Sequence, residues 1–151
     1  MIERRDFLKG AGLAAASTLA AQSAGPLPNI ITIFLDDLGY GEFSCYGHPT
    51  IMTPNIDRMA AEGMRFTQFL ASPLCGPSRA QLLTGRLAMR SGLTTNLFPW
   101  SEGGIPDSEI TVAQMLKKAG YATMCVGKWH LGHLPQYLPT RHGFDDYFGL
   151  P

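Results

Sequence analysis

Two adjacent carboxylates, Asp36 and Asp37, are the first residues in this sequence that could do chemistry. They follow an apolar run over residues 29–35 and precede Gly39 and Gly41, whose backbones can turn sharply. Neighbouring carboxylates repel each other unless a cation neutralises them, and the hard cations Ca²⁺ and Mg²⁺ prefer oxygen ligands. The pair is therefore a candidate metal site, and the alternative is that one carboxylate only caps a turn.

A cysteine and an arginine form the second candidate group, in the string CGPSR at residues 75–79. Cys75 is a small nucleophile just before a predicted helix, where free amides and the helix dipole favour an anion. Arg79 adds a charge-assisted donor one turn later. A buried structural thiol is the alternative for a lone cysteine, and it is our interpretation of Cys45 and Cys125.

Lys128 and His130 form the third group. They are two positions apart in a predicted extended segment, so both side chains can face the same side. Lysine suits an oxyanion as a point charge, and histidine transfers protons near neutral pH. The other histidines, His48, His133 and His142, are interpreted as loop residues without a catalytic role.

Alternating strands and helices must position these groups. Apolar runs predict strands over residues 29–35, 64–70 and 121–126. Turn and capping residues predict helices that begin at Thr53-Pro54, Pro77 and Thr111 and stop at Gly63, Gly85 and Gly120.

This alternation predicts an α/β fold with a parallel sheet and right-handed crossovers. Ligands bind beyond the carboxyl ends of parallel strands. The carboxylate pair, Cys75 and the Lys128–His130 segment should therefore meet at one edge of the sheet.

The composition excludes several classes of protein. The 151 residues contain 12 Lys+Arg and 12 Asp+Glu, with 45% hydrophobic and 16% charged residues, which is too apolar for intrinsic disorder. A net charge of zero does not indicate the basic surface that binds nucleic acid. Three cysteines are too few for a disulfide scaffold, and no apolar run has the length of a membrane-spanning helix. A globular chain of at most one domain remains.

Residues 1–24 have the pattern of an export leader. Arg4 and Arg5 precede a short stretch over residues 10–21 that is rich in Ala, Leu and Gly, and this stretch has no polar face of the kind an amphipathic helix shows. The RRDFLK string resembles the bacterial twin-arginine signal, whose machinery exports folded proteins. The resemblance implies a periplasmic or secreted protein, with residues 25–151 as the exported body.

The motifs of the body resemble the N-terminal part of the type I sulfatases. The resemblance covers residues 28–151 and is strongest in LDDLGYG at residues 35–41, CGPSR at 75–79 with LTGR at 83–86, and GKWHLG at 127–132. GGIPDSE at residues 103–109 and HGFDDYFG at 142–149 are most similar to the branch that contains N-acetylgalactosamine-6-sulfatase and arylsulfatase A.

The resemblance implies an alkaline-phosphatase-like fold and a formylglycine mechanism. A maturation enzyme would oxidise Cys75 to the aldehyde formylglycine. One hydroxyl of its hydrate would attack sulfur and displace the alcohol, and loss of a proton from the other would then re-form the carbonyl and expel sulfate. Asp36, Asp37 and the modified Cys75 would be ligands of Ca²⁺, or of Mg²⁺.

The same resemblance gives roles to the remaining basic residues. Arg79 would hold the hydrate, Lys128 would bind and neutralise the sulfate group, and His130 would assist the elimination step. The implied substrate is a sulfate ester, first a glycan that carries a 6-sulfate.

Other functions stay open at this point. The family's further metal ligands (an Asp-Asn pair), a second His and a second Lys lie downstream of residue 151. We therefore expect residues 25–151 alone neither to fold stably nor to turn over substrate. The alternatives are a phosphodiesterase or phosphonate hydrolase of the same superfamily, a truncated product that only binds anions, and a thiol enzyme. The last lacks the second cysteine or base that its chemistry needs.

Overall fold

The computed structural model describes residues 25–151, so the leader predicted over residues 1–24 lies outside the described residues. Within the described part, no helix combines the length and the apolar character needed to cross a membrane. The chain divides into two compact units, at Phe34 and Leu35, and each is described by itself. Residues 25–34 of the first unit have no regular secondary structure, and Ile31 and Ile33 are 83% and 70% exposed.

The second unit, Leu35–Pro151, contains the α-helices and β-strands of the described chain. In chain order these are α1 (Pro54–Glu62), α2 (Cys75–Thr84), α3 (Ala88–Ser91), α4 (Val112–Lys118), β1 (Met124–Lys128) and β2 (Asp146–Leu150). Single turns of 3₁₀-helix lie at Tyr40–Glu42, Ser44–Tyr46, Pro135–Tyr137 and Pro139–Arg141.

The helices confirm the capping signals of the sequence. Gly63 and Gly85 follow α1 and α2 directly. At the start of α4 the Oγ1 of Thr111 accepts a hydrogen bond from the backbone N–H of Gln114 (3.2 Å). The Gln114 side chain in turn accepts one from the backbone N–H of Thr111 (2.8 Å). This reciprocal pair is the capping box that the sequence predicted.

Helix α2 begins at Cys75, two residues before the predicted start at Pro77. The first amides of a helix have no partner within it, so a proline in the first turn removes no helical hydrogen bond. Ser78 already donates its N–H to the carbonyl of Leu74 at 3.1 Å. Cys75 is therefore a helical residue rather than a loop residue.

Strands β1 and β2 pair in parallel, as the α/β interpretation requires, with Met124 opposite Asp146 and Lys128 opposite Leu150. β1 starts three residues later than the predicted strand over residues 121–126 and continues to Lys128. β2 was not predicted as a strand. Gly127, at φ +104°, faces Gly149, where a side chain would collide with the carbonyl of Gly127. The close approach of the strands therefore requires glycine at position 149, and the positive φ favours glycine at position 127.

The strands predicted over residues 29–35 and 64–70 are wrong, because neither run forms a strand in the described structure. Their apolar side chains are exposed instead, and Leu70 is 94% exposed. β-propensity measures how well a side chain fits a pleated surface beside neighbouring strands. The only β-ladder among the described residues joins β1 to β2, so these two runs have no partner strand despite their β-propensity.

The buried core lies beside the end of β1. It consists of Ala80, Leu93, Ile105, Trp129 and Leu131. Trp129 donates its backbone N–H to the carbonyl of Leu150 (2.8 Å) and its indole N–H to the carbonyl of Tyr137 (2.8 Å). These contacts fix the segment that carries Lys128 and His130.

Candidate functional site

Two carboxylates and one thiol meet in the second unit. One ligand atom from each of Asp36, Asp37 and Cys75 lies within 4.8 Å of the other two. Cys75 is the first residue of α2, and its Sγ is 4.0 Å from Oδ1 of Asp37. The structure thus brings together the carboxylate pair and the cysteine that the sequence singled out separately.

The carboxylate of Asp36 is held between two cations. Its Oδ1 is 3.2 Å from Nη2 of Arg79, and its Oδ2 accepts a hydrogen bond from Nζ of Lys128 at 2.6 Å. The hydrogen bond from Lys128, with further contributions from Cys75 and Arg79, lowers the pKa of Asp36 to about 2. The same hydrogen bond raises the pKa of Lys128 above its ordinary value. Both groups are therefore charged at neutral pH.

Arg79 also connects the helix to the strand. Its side chain is 11% exposed, and Nη1 donates to the backbone carbonyl of Lys128 at 2.5 Å. One guanidinium thus contacts Asp36 from one region and the end of β1 from another. A planar group with several donors is suited to this bridging role.

An amide in the first turn of α2 is already occupied. Gly76 donates its N–H to Oδ1 of Asn96 at 2.9 Å. The sequence predicted free amides for an anion at this helix start, and that expectation is wrong for Gly76. Asn96 was not singled out, because nothing in the spacing of the loop identified it as a partner of α2.

His130 is fixed by a loop carbonyl. Its Nε2 lies 2.7 Å from the carbonyl oxygen of Leu97, and its backbone has φ +59°. The prediction of an extended backbone through His130 is therefore wrong. Even so, Lys128 and His130 line the same cavity of about 440 Å³, together with residues that the sequence did not assign: Leu97, Phe98, Pro99, Gly132, His133, Leu150 and Pro151.

Backbone strain coincides with this site. Among the described residues, the non-glycine positions with positive φ are Asp37 at +52° and His130 at +59°. Left-handed backbone is costly for residues with a side chain and persists where surrounding contacts impose it. Both strained positions are ones that the sequence proposed for chemistry.

The chain matches a known protein family. The family model described as "Sulfatase" matches residues 28–151. The chain belongs to the sulfatase family. Sulfatases generally use a formylglycine and a divalent metal, and the sequence-based resemblance to this family is confirmed. The model of the twin-arginine translocation signal matches residues 1–21, so the chain carries a signal for export to the periplasm or for secretion.

Individual relatives agree with this assignment. The chain is 53% identical to N-acetylgalactosamine-6-sulfatase from Rattus norvegicus, over 92% of this chain and 28% of the relative. It is 53% identical to arylsulfatase A from Homo sapiens, over 82% and 25%. The crystal structure of the PsFucS1 sulfatase from Pseudoalteromonas sp. superposes with a TM-score of 0.76 at 38% identity, covering 99% of this chain and 30% of that one. The chain therefore spans less than a third of the length of these relatives.

The donor set fits a hard divalent cation. Asp36 and Asp37 supply carboxylate oxygens, the ligands that Ca²⁺ and Mg²⁺ prefer, and their ligand atoms are close enough for one ion to contact both. A thiol is a poor ligand for such an ion, whereas an oxygen at the same position of Cys75 would add a third hard donor.

Proposed function

We propose that this protein hydrolyses sulfate esters by means of a formylglycine made from Cys75 and a Ca²⁺ ion bound by Asp36 and Asp37. The observation that carries the proposal is the meeting of Asp36, Asp37 and Cys75 within 4.8 Å beside two cationic side chains. An acidic cation site beside Arg79 and Lys128 suits a substrate that is itself an anion.

Cys75 is the position from which the nucleophile would act. When the aldehyde is present, one hydroxyl of its hydrate would bond to sulfur while the S–O bond to the alcohol breaks and the alcohol leaves with a proton. Deprotonation of the second hydroxyl would then re-form the carbonyl and expel sulfate. The position of Cys75 supports this role, because it begins α2 and its Sγ is 4.0 Å from Oδ1 of Asp37. The proposal requires a maturation enzyme that oxidises this cysteine.

The carboxylates of Asp36 and Asp37 would hold the cation in place. Bound Ca²⁺ supplies positive charge that polarises a sulfate oxygen. Asp36 is oriented from both sides by Arg79 and Lys128, and Asp37 is oriented by its left-handed backbone. The carboxylates are thus positioned before a cation arrives, which reduces the reorganisation that binding needs.

Lys128 and His130 have separate jobs in this proposal. Lys128 lies at the carboxyl end of β1 and lines the cavity, so its ammonium would neutralise the sulfate group. A carbonyl oxygen only accepts hydrogen bonds, so Nε2 of His130 must carry the proton that it shares with Leu97. In the neutral ring Nδ1 is then the acceptor, and it has no hydrogen-bond partner. Nδ1 is the atom that would take a proton during elimination.

The substrate is proposed to be a sulfated glycan, first one that carries a 6-sulfate on a galactosamine. The support is the name of the rat relative, N-acetylgalactosamine-6-sulfatase, at 53% identity. Aryl sulfates should serve as artificial substrates because their leaving groups depart easily.

Mass spectrometry of the exported protein tests the central step. Trypsin releases Cys75 in the peptide of residues 66–79 and Cys125 in the peptide of residues 119–128. We expect the first peptide to carry one oxygen in place of one sulfur and two hydrogens, and the second to keep its thiol. An intact thiol at both positions, in a host that has the maturation enzyme, would contradict the proposal.

A turnover assay separates sulfatase from phosphodiesterase activity. The intact protein is tested with an aryl sulfate and with the matching aryl phosphodiester, with and without a calcium chelator. We expect calcium-dependent hydrolysis of the sulfate. Preferential hydrolysis of the phosphodiester would assign the site to the wider superfamily's phosphodiesterases instead.

A further inference from the structure

A loop beside the cavity presents two stacked aromatic rings. We call residues 96–101 the aromatic loop. The rings of Phe98 and Trp100 are 5.0 Å apart between centroids and only 6° from parallel. Phe98 is 50% exposed and Trp100 is 78% exposed, so the stack covers only part of either ring. An indole this exposed buries little apolar surface of its own and is available to a ligand.

The aromatic loop is anchored on the elements of the candidate site. Asn96 accepts a hydrogen bond from the amide of Gly76 in the first turn of α2 (2.9 Å), and the carbonyl of Leu97 is bound to Nε2 of His130 (2.7 Å). Within the loop, Phe98 donates its N–H to Oγ of Ser101 (2.9 Å), and Ser101 returns its N–H to the carbonyl of Phe98 (2.8 Å). The backbone of the aromatic loop is therefore anchored to α2 and to His130.

One ring of the stack lines the cavity of the candidate site. Phe98 and Pro99 line the same cavity as Lys128 and His130, and Trp100 stacks on Phe98. The pair Phe66 and Phe69 is also exposed, but its rings are tilted by 40° and do not line that cavity. A ligand that fills this cavity can contact both Lys128 and Phe98, and Trp100 is stacked on the Phe98 ring.

We infer that Phe98 and Trp100 form a platform that binds a sugar ring of the glycan whose sulfate occupies the candidate site. This inference rests on the proposed function. A pyranose ring has one face of C–H groups, which is apolar and flat, and it packs against aromatic faces as other apolar groups do. Tyrosine- and tryptophan-type rings supply such area with little loss of side-chain freedom. The platform makes Trp100 a specificity-determining residue that favours glycans over small sulfate esters.

The experiment compares one glycan with one small ester in the intact protein. The substrates are a chondroitin 6-sulfate hexasaccharide and 4-nitrophenyl sulfate, and the variants are Trp100→Ala, Trp100→Phe and the matched surface variant Phe69→Ala. We expect Trp100→Ala to lower the ratio of kcat/KM for the hexasaccharide to that for the aryl sulfate about tenfold, mainly through KM. Trp100→Phe should restore most of the ratio, and Phe69→Ala should leave it unchanged.

A binding measurement does not depend on turnover. Trp129 is 2% exposed, so Trp100 is the tryptophan of this segment that a ligand can reach. We expect the desulfated hexasaccharide to change the fluorescence of the unsubstituted protein, and we expect this change to be lost in Trp100→Phe. An unchanged kcat/KM ratio in Trp100→Ala, or the same fluorescence change in Trp100→Phe, would overturn the inference. Absence of aryl sulfate hydrolysis by the unsubstituted protein would instead overturn the proposed function.

Discussion

Residues 35–70 and residues 75–150 both contribute to the candidate site, but they are stabilised in different ways. All five residues of the core cluster lie between positions 80 and 131. Helix α1, in the first region, has no buried residue, and Met52 and Met64 are 75% and 79% exposed. The second region is therefore held by apolar packing and the first is not.

Polar contacts do the positioning in the first region. Ser44 donates to Asp57 at 2.6 Å, Thr53 donates to the same carboxylate at 3.1 Å, and Asp36 is bound by Arg79 and Lys128. The carboxylate of Asp36 thus depends on charge for its placement, whereas Cys75, Lys128 and His130 depend on a packed scaffold. Substitutions in the two regions should consequently have different effects.

The largest expected effect is on stability, in the packed region. Ile105 is fully buried and donates its N–H to the carbonyl of Leu131 at 2.8 Å. Ile105→Ala leaves a cavity and should lower the free energy of unfolding by about 2–5 kcal/mol. Met52→Ala, in the other region, should change it by no more than about 0.5 kcal/mol. Denaturant unfolding measures both values, and equal losses would remove the contrast between the regions.

A substitution in the polar region should instead reduce activity. Asp37→Asn removes one negative charge from the proposed cation site and should lower kcat/KM for an aryl sulfate about 100-fold. Its melting temperature should stay close to that of the unsubstituted protein. Asp57→Asn is the matched control, because it removes a carboxylate of the same region and should reduce stability while leaving turnover intact. Full activity of Asp37→Asn in calcium-depleted buffer would contradict the role of this residue.

A smaller effect should come from the capping box of α4. Thr111 is fully buried, and its Oγ1 both accepts from Gln114 and donates to the carbonyl of His142 at 2.6 Å. Thr111→Ala should lower the free energy of unfolding by about 1–2 kcal/mol, and Thr111→Ser should restore most of it. If the serine variant is as unstable as the alanine variant, the hydroxyl is not the stabilising group.

The smallest expected effect is a pH dependence. Hydrogen bonds from Lys117 (2.5 Å) and from the backbone of Thr123 (2.8 Å) lower the pKa of Asp145 below its ordinary value. A carboxyl whose pKa is lower in the folded state than in the unfolded state stabilises the fold at pH values above its unfolded pKa of about 3.9. This stabilisation is lost as the pH falls through the pKa of the folded state. Thermal melting between pH 5 and pH 2 should therefore show a slightly smaller decline in Asp145→Asn than in the unsubstituted protein. An identical decline would show that the ion pair is not stabilising.

The sequence predicted local features well and long-range placement less well. The capping box at Thr111 and the ends of α1 and α2 depend on neighbouring residues, so short patterns were enough to find them. The runs over residues 29–35 and 64–70 needed partner strands, which no local pattern supplies. β2 was missed because Asp146 and Gly149 interrupt its apolar pattern.

The candidate site shows the same division. Asp36, Asp37, Cys75, Arg79 and Lys128 were found from residue type and motif, and the structure brings them together. The loop that orients His130 and presents Trp100 was not found, because its contacts join positions more than 15 residues apart in the chain. The residue spacing of neither segment predicts a hydrogen bond between a loop carbonyl and a histidine ring.

The contact between Lys128 and Asp36 joins positions 92 residues apart, whereas β1 and β2 pair across 22 residues. Closing the longer loop costs about 1.3 kcal/mol more chain entropy than closing the shorter one. The scaffold of Lys128 can therefore form first, and the carboxylates dock onto it late in folding. The order has a consequence for export, because the twin-arginine route carries folded proteins. A chain that has completed this last contact in the cytoplasm would cross the membrane with its cation site already assembled.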